Sequence, residues 1–278
     1  MNVFKCGKYS LELGKRTYVM GILNVTPDSF SDGGKWLNTK RAVDRALEIE
    51  REGADIIDIG AQSTRPGYIK ISPDDELERL MPVLEGIKGK LNIPMSVDTF
   101  YPKVADEAII MGTDIINDVY GFEDKDMFEV CKDSTCGMII TYGFKEPEKM
   151  KKFFSVKLSK AADLGIDFQR ICFDPGIGFS KSYEEDVDII KNVGKYKISR
   201  NAFLVGASRK RVIGYSCGNV SAPDRMAGSI SAGVIASMGG ADILRVHDVK
   251  ETVQALKVSD KILKGSKEEF GQDSYKGT

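Results

Sequence analysis

Asp98, Asn117 and Asp174 each close a short apolar run, in SVDT, INDV and FDPG. A carboxylate among apolar neighbours can accept two parallel N–H bonds, so this set suits a flat heterocycle with an amine-rich edge. Arg65, Lys210, Arg245 and His247 fall in comparable places, in STRPG, SRKR and LRVHD. They are cations and donors, and they suit an anionic group. Asn24 ends the run MGILN and opens the polar stretch VTPDSFSDGG. A connection needs only a few residues, so the excess, with Phe30 at its centre, points to a loop that handles a ligand.

Each of these residues also has a plainer use. Asp98 or Thr99 can cap the helix that follows, and Asp174-Pro175-Gly176 can be a turn. Asn117 can satisfy buried backbone groups, and His247 can be structural. No single residue is decisive; what unites them is their place at the ends of apolar runs.

Those runs number eight: RTYVMGILN (16–24), ADIIDIG (54–60), IPMSVD (93–98), DIINDV (114–119), GMIITY (137–142), RICFDPGI (170–177), AFLVGAS (202–208) and ADILRVHD (241–248). Near-continuous apolar character marks strands covered on both faces. Between them lie amphipathic patterns such as RAVDRALEIEREG and DDELERLMPVLEGIKG, several ending at glycine. The last, DVKETVQALKVSDKIL, opens with Asp248 and Glu251 at the spacing of a capping box. Eight β–α units in about 250 residues fit an α/β (β/α)₈ barrel. A doubly wound open sheet is the alternative, but no G-x-G-x-x-G follows the first strand. The expected layout is an N-terminal hairpin over 1–15, one barrel over 16–265 and a loose polar tail over 266–278. In such a barrel the C-terminal strand ends share one mouth, which would gather Asn24, the loop holding Gln62, Thr64, Arg65 and Pro66, then Asp98, Asn117, Asp118, Asp174, Ser208 to Arg211, Arg245 and His247.

The totals limit the alternatives. The 278 residues are 42% apolar with a net charge of −1, so no basic footprint for nucleic acid or an anionic membrane is present. The five cysteines contain no C-x-x-C pair, and the one histidine excludes a multi-histidine metal centre. The start, MNVFKCGKYS, lacks a signal-peptide stretch, and no run of 18 apolar residues follows. A reduced, cytoplasmic protein is expected.

Seven segments in order, MGILNVTPDSFSDGG, DIGAQSTRPG, SVDT, INDV, FDPGIGF, GASRK and RVHDV, closely resemble those of the dihydropteroate synthases. The likeness runs from about residue 16 to 262. It implies a (β/α)₈ enzyme of folate synthesis that joins 6-hydroxymethyl-7,8-dihydropterin diphosphate to 4-aminobenzoate and releases diphosphate. By resemblance Asp98, Asn117, Asp174 and Lys210 would hold the pterin, and Arg245 and His247 the diphosphate. Asn24 would reach Mg²⁺. Thr64, Arg65 and Pro66 would lie near diphosphate and aminobenzoate, with Arg211 near the latter's carboxylate. Lys210, Arg245, His247 and Arg65 would carry catalysis, and a homodimer is implied.

Four departures touch the mouth. Gln62 stands where the family usually has glutamate, and Thr141-Tyr142-Gly143 where it usually shows Met-His-Met. The connection that follows is shorter than usual. Arg211 replaces a common serine, adding both a charge and bulk. Two other functions share the fold: a pterin-binding paralogue of low or no activity, and a methyltetrahydrofolate-dependent methyltransferase. The second has no need of the cations Arg65, Arg245 and His247.

Overall fold

All eight apolar runs become strands, and their order closes on itself. The computed structural model describes residues 2–26, 35–62, 69–198 and 200–264. The barrel strands are β3 (Tyr18–Asn24), β4 (Ile56–Gly60), β5 (Met95–Asp98), β6 (Ile115–Asp118), β7 (Gly137–Thr141), β8 (Ile171–Asp174), β9 (Ala202–Val205) and β10 (Ile243–Val246). Each pairs in parallel with its sequence neighbour, and β10 returns to pair with both β9 and β3. The helices are α1 (Lys35–Arg51), α2 (Pro73–Ile87), α3 (Pro102–Ile110), α4 (Lys125–Lys132), α5 (Met150–Asp163), α6 (Tyr183–Lys191), α7 (Val193–Tyr196), α8 (Arg211–Ser216), α9 (Met226–Met238) and α10 (Val249–Lys264). Ahead of the barrel, β1 (Val3–Cys6) and β2 (Tyr9–Glu12) form an antiparallel hairpin. The polar tail lies outside the described residues.

Both faces of the strands are apolar for different reasons. One face, with Ile57, Ile59, Val97, Ile116, Met138, Phe173 and Val205, packs against the helices in the larger core. The other face fills the lumen, where Met20, Ile56, Ile115, Ile139, Cys172, Leu204 and Ile243 meet Phe4 of the hairpin. Phe4 is fully buried, so the hairpin plugs the N-terminal end of the barrel. Strand side chains repeat every two residues. Two steps beyond the lumen's apolar layer stand Asp58, Asn117, Thr141, Asp174, Gly206 and Arg245. A dry floor thus lies beneath a polar ring at the C-terminal mouth.

Local signals fix the helix starts. Ser72 and Asp75 form a capping box at α2, as Ser182 and Glu185 do at α6. The capping box expected at Asp248 is not made, because its carboxylate is held by the Arg209 guanidinium instead. Gly176, at φ +67°, turns the chain after β8, and a Cβ there would lie 2.3 Å from the Tyr142 carbonyl oxygen. Only glycine fits that turn.

Candidate active site

The ring is built around one guanidinium. Arg245 Nε donates to Asp58 Oδ2 at 2.6 Å, and its Nη2 donates to Asp98 Oδ2 at 2.7 Å. Asn117 Nδ2 donates to both Asp58 oxygens, at 3.3 and 3.2 Å, and Ser96 Oγ donates to Oδ1 at 2.6 Å. Asp58 is fully buried, so its charge is tolerated only because all these donors converge on it. Burial acts against the charged Arg245, but Asp58 and Asp98 more than offset it and hold the guanidinium protonated. Asp98 has one shared partner; burial, with Asp58 and Glu76 adding to it against Arg245, pushes its carboxyl up to about 7. A carboxyl poised there can accept from an amine-rich ring edge or hold a proton for it.

Asp174 and Lys210 close the other side. Asp174 Oδ1 accepts the Gly176 N–H at 2.7 Å, so the residue serves the turn and leaves Oδ2 toward the mouth. Its carboxyl is raised by burial, with Lys210 the leading opposing influence. Lys210 donates to the Ile177 carbonyl and lies over the Phe179 ring, 4.8 Å from its centroid. Burial brings its ammonium down to about 8, with Asp174 acting to keep it charged. Gly206 opens the gap between them and Arg245: a Cβ there would sit 3.7 Å from Arg245 Cβ and 4.0 Å from Asp174 Oδ2. Lys181, not singled out by sequence, anchors the floor of this turn by donating to the Tyr142 and Gly176 carbonyls at 2.8 and 3.1 Å.

The remaining residues separate into those at the rim and those with other duties. Ser208 Oγ lies 3.1 Å from His247 Nδ1 and accepts the His247 N–H at 3.2 Å, fixing the imidazole between β9 and β10. Asn24 ends β3, half-buried, and its side-chain amide makes no hydrogen bond among the described residues. Asp118 does not join the ring. Its carboxylate turns away to accept the Tyr120 and Phe122 N–H groups, both at 2.7 Å. Arg209 leaves the mouth as well, pairing with Asp248. Arg211 is exposed at the start of α8. Thr64, Arg65 and Pro66 lie outside the described residues, as does the loop from Pro27 to Gly34. Asp98 does not cap α3, whose preceding residue Tyr101 makes no side-chain cap.

Asp58 was not singled out in the sequence, although its signal was there: a carboxylate inside an apolar strand, two residues before the end, in DIIDIG. Gln62 Oε1 accepts the Ile71 N–H at 2.9 Å, while its buried Nε2 has no partner among the described residues. Glu76 of α2 is 1% exposed, and among the described residues neither carboxylate oxygen makes a well-formed hydrogen bond, the Thr99 hydroxyl being its nearby donor. Where the family usually has Met-His-Met, Tyr142 packs edge-on against Phe144, Phe153 and Phe154.

Residues 20–247 match the family model described as pterin binding enzyme. A dihydropteroate synthase of Clostridium beijerinckii is 39% identical over 268 residues, covering 94% of this chain and 99% of its own length. Among solved structures, the Xanthomonas albilineans dihydropteroate synthase with 4-aminobenzoic acid is 36% identical, with a TM-score of 0.87 over 94% of this chain and 98% of that one. The Burkholderia cenocepacia enzyme complexed with 7,8-dihydropteroate is 32% identical, with a TM-score of 0.86 over 94% and 96%.

Proposed function

The chain belongs to the pterin-binding enzyme family, and from that premise we propose that its mouth performs dihydropteroate synthesis. The reaction condenses 6-hydroxymethyl-7,8-dihydropterin diphosphate with 4-aminobenzoate and releases diphosphate. The observation that carries this is the ring of buried Asp58, Asp98, Asn117 and Asp174 with half-buried Lys210 and Arg245, above an apolar floor. A flat apolar ring with polar edges fits that shape, stacked on the dry layer with its N–H edge toward the carboxylates.

The roles follow from the bonds. Asp98, Asn117 and Asp174 accept from and donate to the pterin edge, and Lys210 donates to an acceptor on the same ring. Three carboxylates in the ring face only Arg245 and Lys210, so the ring by itself does not favour a polyanion. The diphosphate therefore belongs at the rim, against Asn24, Ser208, His247 and the Arg245 Nη1, which has no partner among the described residues; the resemblance adds Arg65. Asn24 fits a magnesium ion: it offers a hard amide oxygen without a hydrogen bond among the described residues, where a phosphate would lie, and Mg²⁺ commonly takes one or two protein ligands beside substrate phosphates. When bound, Mg²⁺ would neutralise charge on the leaving diphosphate. The carbon–oxygen bond breaks as diphosphate leaves, and the neutral arylamine attacks the exposed methylene carbon and then loses a proton. Fixed donors aimed at the leaving group lower that barrier without reorganising.

The resemblance supports a homodimer. So do exposed apolar residues on two adjoining helices, Ile235 and Met238 of α9 with Val258 and Ile262 of α10. Among the described residues no helix is long and apolar enough to cross a membrane. The decisive assay measures diphosphate release from the pterin diphosphate with and without 4-aminobenzoate, in Mg²⁺ and in excess chelator. Release that needs both is expected. Pterin binding without release would leave a non-catalytic paralogue, and normal rates in chelator would remove the metal.

A further inference from the structure

Opposite the mouth, a second chemical cluster has no part in this reaction. Cys131, in the last turn of α4, and Cys136, just before β7, are both buried free thiols. One guanidinium holds both backbones: Arg170 Nε donates to the Cys136 carbonyl at 2.8 Å and Nη2 to the Cys131 carbonyl at 2.6 Å. The two thiols adjoin, each within hydrogen-bonding reach of the other. Ser134 Oγ lies 2.9 Å from both the Cys131 carbonyl and the Cys136 sulfur. Ser134 donates to that carbonyl beside Arg170 and accepts the Cys136 N–H at 3.2 Å, which keeps its oxygen against the sulfur. Arg170 Nη2 itself lies 4.0 Å from the same sulfur.

We propose that Cys131 and Cys136 form a peroxide-oxidisable dithiol at the N-terminal end of the barrel, a modification site separate from the catalytic mouth. The other buried thiols do not share this setting. Burial pushes Cys6 up to about 12 and Cys172 well above the ordinary thiol range. Cys136 is instead brought down to about 7, first by the adjoining Cys131 thiol and then, against burial, by Ser134 and Arg170. Access exists as well. A cavity of about 360 Å³ is lined by Gly7, Lys8, Thr113, Asp114, Ser134 and Cys136, and Lys8 at its edge is exposed. The Cys136 thiolate attacks one peroxide oxygen, the O–O bond breaks, and hydroxide leaves with sulfenic acid on Cys136. The Cys131 sulfur then attacks that sulfur; the S–S bond forms and water leaves, so two thiols and one peroxide give one disulfide and two waters. Any thiol reductant reverses it.

The full-length protein is treated with hydrogen peroxide, blocked with N-ethylmaleimide, digested without reductant and read by mass spectrometry. A Cys131–Cys136 crosslink that disappears with dithiothreitol is expected. In untreated protein, Cys136 should alkylate about tenfold faster than Cys172. Recovery of both residues as free thiols after peroxide, or equal alkylation of Cys136 and Cys172, would overturn the proposal. In Cys131→Ser the sulfenic acid on Cys136 has no thiol to condense with, so it should accumulate and react with dimedone; no adduct in folded variant would count equally against it.

Discussion

Glu76 is the sharpest place to test the electrostatics. It is 1% exposed, its carboxylate makes no well-formed hydrogen bond among the described residues, and burial pushes it from the ordinary 4.5 up to about 7, with the nearby Thr99 hydroxyl, Arg79 and Lys70 pulling it back only in part. The folded state therefore binds this proton more tightly than the unfolded chain does. Stability is fully present below pH 4.5 and falls as pH rises toward 7, because ionisation then costs more in the fold. At about 1.4 kcal/mol per pH unit, that interval is worth about 3 kcal/mol once the pH exceeds 7. Glu76→Gln keeps the shape and removes the ionisation. It should stabilise the protein by about 3 kcal/mol at pH 8 and by less than about 1 kcal/mol at pH 5. Urea unfolding of both proteins at the two pH values measures it. An equal change at both, or a loss at pH 8, would refute the reasoning and mean that the carboxylate has a partner it needs.

Three further outcomes follow from the mouth. Arg245→Met strands two buried carboxylates, Asp58 and Asp98, and should cost about 3–5 kcal/mol of stability; denaturant titration checks it, and Asp58→Asn in the same background should recover part of the loss. Asp98→Ala should weaken a pterin analogue by about 1–3 kcal/mol in calorimetry, and unchanged affinity would take Asp98 out of the pterin site. Arg211→Ser, at an exposed position, should alter the KM for 4-aminobenzoate by less than about fivefold, and a tenfold change in steady-state kinetics would place Arg211 in that site after all.

Much of this was legible because both strand faces are dry. The eight runs stood out by hydrophobicity alone, and the ends of those runs named Asp98, Asn117, Asp174 and Arg245, all of which the barrel brings into one ring. Three things did not follow. Asp118 looks like its neighbour Asn117 in the sequence, but the two-residue period sends them to opposite faces, and Asp118 serves the turn. Asp58 lay inside a run, and a search of run ends passes over it. Asp248 has the spacing of a cap, but Arg209 reaches it from a loop 39 residues earlier, and no local pattern reveals so distant a competitor.

The Asp58–Arg245 and Asp98–Arg245 bonds span 187 and 147 residues. The acidic side of the mouth is thus made early in synthesis and its counter-charge nearly last, on the strand that seals the barrel. Until β10 is delivered, Asp58 has only the neutral donors Ser96 and Asn117 and neither carboxylate has its cation, so sinking them into the lumen is unfavourable. Closure and charge neutralisation are one event. A nascent chain released before residue 245 has neither a seam nor a balanced pocket, so substrate affinity itself reports that the last strand has docked.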